Sequence, residues 1–70
     1  MQKNNRFFLN GQNYSTKHKL TILELINYFG YNTSVLVVEY NHLICNKENW
    51  SKMQIQNKDK IEIVTIVGGG

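Results

Sequence analysis

The stretch DKIEIVTIVGGG, Asp59–Gly70, alternates like a strand and then stops at three successive glycines. With Ile61, Ile63 and Thr65 facing a core, Glu62, Val64 and Ile66 face the other way. Gly68, Gly69 and Gly70 have no side chains to pack and lose more backbone freedom on ordering than any other residue. They are poor core material. The run therefore reads as a last strand, Ile61 to Val67, that carries a flexible arm past the fold. Three extended glycines reach roughly 10 Å at about 3.3 to 3.6 Å each.

Upstream, the turn Asn57-Lys58-Asp59 feeds this strand. NKENW, Asn46–Trp50, reads as an irregular or 3-10 turn, with Trp50 as a lid over the edge of a small core. VLVVEYN, Val35–Asn41, is β-branched and aromatic, and Asn41-His42 turns it into a short strand Leu43 to Cys45. In LTILELINYFG, Leu20–Gly30, Thr21 caps a helix with Glu24 as its reciprocal partner, and Leu20 can staple to Leu25. Ile22, Leu25, Ile26 and Phe29 form one apolar stripe, and Gly30 supplies the left-handed residue that ends the helix. Arg6 to Leu9 is a strand that Asn10-Gly11 turns back through Gln12 to Tyr14. The order strand, strand, helix, strand, short strand, strand makes an α+β domain with one main helix packed on a mixed sheet. Pairing of the first strand with the last would close it.

Composition bounds the rest. Seventy residues suffice for one small core. An apolar fraction of 41% with 19% charged residues is that of a folding chain rather than a disordered one. The single cysteine, Cys45, cannot make an internal disulfide, which suits a reducing compartment. The N-terminal stretch MQKNNRFFLNG has no apolar targeting core, and no segment reaches the length of a membrane span. The net charge of +3 comes mostly from dispersed lysines. Only Lys17, His18 and Lys19 cluster, short of the basic stripe of a nucleic-acid binder. Alanine and proline are absent while Asn, Lys, Ile and Tyr abound, a bias that fits bacterial or organellar coding.

On these residues the chain resembles the ThiS family of sulfur carriers in thiamine biosynthesis, which are ubiquitin-like β-grasp proteins. The resemblance is carried by NGQ at Asn10–Gln12, TILELI at Thr21–Ile26, VVEYN at Val37–Asn41, KENW at Lys47–Trp50 and DKIEIVTIVGGG at Asp59–Gly70. It departs at Cys45-Asn46-Lys47, where the family often has a Val-Pro-Arg-like stretch, and at Asn57-Lys58-Asp59, where a Gly-containing acidic turn is common. It implies a β-grasp domain over residues 1–67 and a carrier tail over 68–70.

The resemblance further implies that the chain is a protein co-substrate rather than an enzyme. The carboxylate of Gly70 would attack the α-phosphate of ATP on a ubiquitin-activating-like adenylyltransferase of the ThiF type. Sulfur from a persulfide donor would then replace AMP to leave a thiocarboxylate. Gly68 and Gly69 would thread the tail into that enzyme and into a thiazole synthase of the ThiG type, where sulfur enters the thiazole ring. Such sites must be dry to protect an activated acyl group. ATP would bind the partner, because no Gly-rich phosphate loop of the P-loop type is present. Strand alternation puts Phe8, Val37, Val64 and Ile66 on the face away from the helix, as an apolar docking patch beside the tail.

Other readings stay open: the small subunit of molybdopterin synthase, a ubiquitin-like modifier, or a small basic RNA-binding module. Cys45 with His42 lacks a third group to orient a nucleophile. Adding His18 still leaves too few ligands for a structural zinc. The expectation is a lone monomer without metal, nucleic acid or membrane, in the bacterial cytoplasm or a plastid stroma.

Overall fold

Local chemistry starts the fold at two places. Asn10 and Gly11 both take positive φ, 50° and 81°, the pair of left-handed residues that a tight hairpin needs. They join strand β1 (Asn5–Leu9) to the antiparallel β2 (Gln12–Thr16). Thr21 then opens helix α1 (Ile22–Phe29) with a complete capping box. Its hydroxyl accepts from the Glu24 amide at 3.1 Å while the Glu24 carboxylate accepts from the Thr21 amide at 2.9 Å. Gly30 closes the helix at φ 75°, where a side chain would be strained.

A 3-10 turn, Thr33–Val35, leads into β3 (Leu36–Tyr40), and β4 (Leu43–Cys45) returns antiparallel to it. The reversal uses Asn41 and His42, both at positive φ. A second 3-10 turn, Lys47–Asn49, precedes the buried Trp50, and β5 (Lys60–Thr65) comes last. The computed structural model describes residues 4–66. Val67 of the expected last strand lies outside them, as do Gly68, Gly69 and Gly70.

The sheet order is β2-β1-β5-β3-β4. β5 lies in the middle, parallel to β1 and antiparallel to β3, so the first and last strands pair as the sequence implied. Phe7, Leu9, Val38, Ile61 and Ile63 point from the sheet to Ile22, Leu25 and Ile26 of α1. Trp50 and Ile55 close the open side of this core. Trp50 also satisfies its one polar atom, since Nε1 donates to the Cys45 carbonyl at 2.9 Å.

Two expected core positions behave differently. Thr65 is exposed, because the strand runs on past the layer that covers Ile61 and Ile63. Phe29 is 40% exposed, at the rim of the stripe, where it meets the edge of Tyr14 with ring centroids 5.5 Å apart. Strand limits also shift. β2 runs two residues past Tyr14, and Val35 belongs to the turn before β3.

Candidate docking face and carrier tail

β5 is the element that leads to the tail, and both hairpin turns hold it. Asn10 receives the Ile63 amide on its side-chain oxygen at 2.8 Å and gives its own amide to the Ile61 carbonyl at 2.9 Å. Asn41 does the same from the other flank, receiving the Lys60 amide at 2.8 Å and donating to the Lys60 carbonyl at 2.7 Å. The Ile66 amide still donates to the Val35 carbonyl at 2.7 Å. The chain thus stays tied to the fold through the last described residue.

The start of β5 is fixed by a buried carboxylate. Asp59 is 7% exposed, a costly place for a charge unless it is hydrogen-bonded. It accepts from the Gln56 amide at 2.6 Å, from Asn41 Nδ2 at 3.0 Å and from the Tyr40 hydroxyl. Burial first, and then the Asp59 carboxylate, push ionisation of Tyr40 far above the ordinary tyrosine range. Nothing in the local sequence marks either residue as structural. The side-chain partners of Asp59 lie 18 and 19 positions away.

The outer sheet face, opposite the helix, carries the residues expected to dock a partner. Phe8 is 39% exposed, Val64 50% and Ile66 52%, while Val37 is half-buried. Val37 and Val64 are direct cross-strand partners, and Ile66 follows on the same side of the chain. Phe8 shares the face and stands apart from the others. Its register partner is Lys60, and Glu62 with its partner Glu39 lies between that row and the valines. The register therefore makes an apolar group at the tail end of β5, a carboxylate row, and then Phe8 beside Lys60.

Sequence reasoning missed one neighbour of this face. Ile44, 69% exposed, pairs with Glu39 from β4. Its three-residue strand is evident in the sequence, and alternation from the buried Cys45 would have pointed Ile44 outward. Beside Phe8 and Lys60 a shallow hollow of about 380 Å³ is lined also by Gly11, His42 and Glu62. Cys45 is buried, and its thiol is pushed up by that burial. No group of three or more metal-ligating side chains forms among the described residues. No described helix is long and apolar enough to cross a membrane.

The ThiS family model matches residues 7–70, nearly the whole chain. The chain belongs to the ThiS family. It is thereby one of the ubiquitin-like sulfur carriers that the motifs resembled. A sulfur carrier protein ThiS from Bacillus subtilis is 35% identical over 63 residues, covering 89% of this chain and 96% of that one. An uncharacterized protein ycf40 from Trieres chinensis is 61% identical over 64 residues, covering 91% and 88%. Another ycf40 protein, from Porphyra purpurea, is 31% identical over 70 residues, covering 100% and 99%. The fold matches the crystal structure of a thiamine biosynthesis protein ThiS from Geobacter metallireducens with a TM-score of 0.79. That likeness covers 93% of this chain and 99% of the other at 20% identity. It supports the ThiS β-grasp architecture.

Proposed function

We propose that this ThiS-family chain carries sulfur for thiazole formation as a thiocarboxylate at Gly70. The carboxylate is ionised at neutral pH, with an ordinary value near 3.5. Its oxygen attacks the α-phosphorus of ATP and pyrophosphate leaves, giving an acyl-adenylate. The terminal persulfide sulfur then attacks the acyl carbon and AMP leaves, giving an acyl disulfide. A second thiolate attacks the donor-side sulfur of that S–S bond, so that the donor leaves as a disulfide and the thiocarboxylate is released. A ThiF-type adenylyltransferase supplies the first site and a ThiG-type thiazole synthase receives the sulfur. Gly68 and Gly69 pass into both enzymes because no side chain obstructs a narrow channel.

The observation that carries this reading is the family match running through Gly70, on a fold whose central strand leads to those glycines. The exposed side chains of Phe8, Val64 and Ile66, with Val37, supply apolar area for docking. The ycf40 relatives favour the plastid stroma over the bacterial cytoplasm as its compartment.

Intact mass tests the chemistry. Incubation with the adenylyltransferase, ATP, a persulfide donor and a reducing thiol should replace one terminal oxygen by sulfur, and a chain lacking Gly69 and Gly70 should remain unchanged. Sulfur loading of the shortened chain would refute the proposal. Delivery to thiazole synthase, with none to the large subunit of molybdopterin synthase, is expected for the thiamine route.

A further inference from the structure

Glu39 and Glu62 stand directly opposite each other on β3 and β5, on the outer face. Opposed Cβ atoms in a sheet are about 4.5 to 5.5 Å apart, and like charges so placed destabilise the pair. Apolar side chains border them: Val37 and Val64 form the next row toward the tail, and Ile44 flanks Glu39. On the other side the next row is Lys60 with Phe8. An apolar docking surface thus holds two adjacent carboxylates, in a chain whose net charge is +3.

We infer that this face docks the adenylyltransferase through an arginine of that enzyme, whose guanidinium bridges Glu39 and Glu62 while apolar side chains around it cover Val37, Val64 and Ile44. The inference rests on the carrier reading and adds the partner's chemistry to it. Charge complementarity selects this occupant. Cationic side chains that bind the phosphates of ATP near the incoming tail favour an acidic spot over the lysines elsewhere on a carrier of net charge +3. The planar guanidinium fits two neighbouring carboxylates because its donors form a fixed fork, and its weak hydration suits apolar surroundings. Enclosure by the flanking valines and Ile44 excludes water and strengthens the contact.

The test is carrier-dependent ATP–pyrophosphate exchange by the purified adenylyltransferase, comparing the wild-type chain with E39Q, E62Q and the double variant. The double variant should raise KM for the carrier at least about tenfold, the scale of losing a desolvated charge contact, with kcat changed less than about twofold. Its thermal midpoint should equal or exceed the wild-type value, because the repulsion is gone, so weaker docking cannot be ascribed to unfolding. An unchanged KM overturns the inference and leaves the carrier reading standing. An equal rise in E48Q, which alters net charge in the Lys47–Asn49 turn, also overturns it. Stabilisation of the wild-type chain by millimolar magnesium, absent from the double variant, would assign the pair to a cation instead. Absence of exchange with the wild-type chain would remove the carrier reading and the inference together.

Discussion

The Tyr40 hydroxyl donates to the Asp59 carboxylate at the point where the chain enters β5. Two further donors, the Gln56 amide and Asn41 Nδ2, complete the shell around this buried charge. Removing the hydroxyl leaves the acceptor short of one partner. Tyr40→Phe should therefore cost about 1 to 2 kcal/mol. With a urea m-value of about 1 kcal/mol/M for so small a domain, the midpoint should fall by about 1 to 2 M. Asp59→Ala should cost more, since it strips three donors of their acceptor at once.

The same contact gives stability a pH dependence with a definite sign. Burial and the Asp59 carboxylate raise the ionisation of Tyr40 in the folded chain above its ordinary value of 10.0. Below that value tyrosine is neutral in both folded and unfolded chains, and the contribution is fully present. As pH rises further the unfolded chain loses the proton first, so stability declines up to the folded value. Urea midpoints measured between pH 9 and pH 11 (about one unit either side of the ordinary value) should fall more steeply for wild type than for Tyr40→Phe.

Thr21 and Glu24 satisfy each other's amides at the start of α1. Thr21→Ala should cost about 1 kcal/mol, which lowers the thermal midpoint by about 4 to 8 °C in a domain of this size. Circular dichroism during a thermal ramp reads the shift. Thr21→Ser, which keeps the oxygen, should recover most of it.

Trp50 is the single tryptophan and is buried, with Nε1 bonded to the Cys45 carbonyl. Its emission should be blue-shifted in the native protein and move to the red in one step on unfolding. Trp50→Phe should cost about 1 to 3 kcal/mol, chiefly from the carbonyl left without its donor.

Cys45 is buried and its thiol is pushed up by desolvation. Reaction needs the thiolate. Modification by a disulfide reagent at neutral pH should run at least about tenfold slower in buffer than in denaturing urea. Native reactivity equal to the unfolded rate would contradict the burial.

Much of this architecture is readable where the determining groups are neighbours in the chain. Asn10-Gly11, the Thr21–Glu24 box and the Gly30 terminus each act within four residues, so the hairpin and helix are legible from the sequence. Alternation along β5 likewise assigns Ile61 and Ile63 to the core. The burial of Asp59 is not legible, because the groups that make it tolerable come from Tyr40 and Asn41 across the sheet. Phe8 shows the same limit on the outer sheet face. Its orientation follows from Phe7 and Leu9, yet its distance from Val64 depends on the offset between β1 and β5, which pairs it with Lys60. Thr65 alternates correctly and is still exposed, since local pattern does not tell where the opposing layer ends.

The central place of β5 also has a mechanical meaning. A partner that draws the chain in by its end pulls along this strand, and the load falls on hydrogen bonds to β1, to β3 and to the Asn10 and Asn41 side chains together. They resist in shear rather than one after another, as bonds to an unzipping edge strand would. Pulling at the end of the chain therefore loads the middle of the sheet and not its edge.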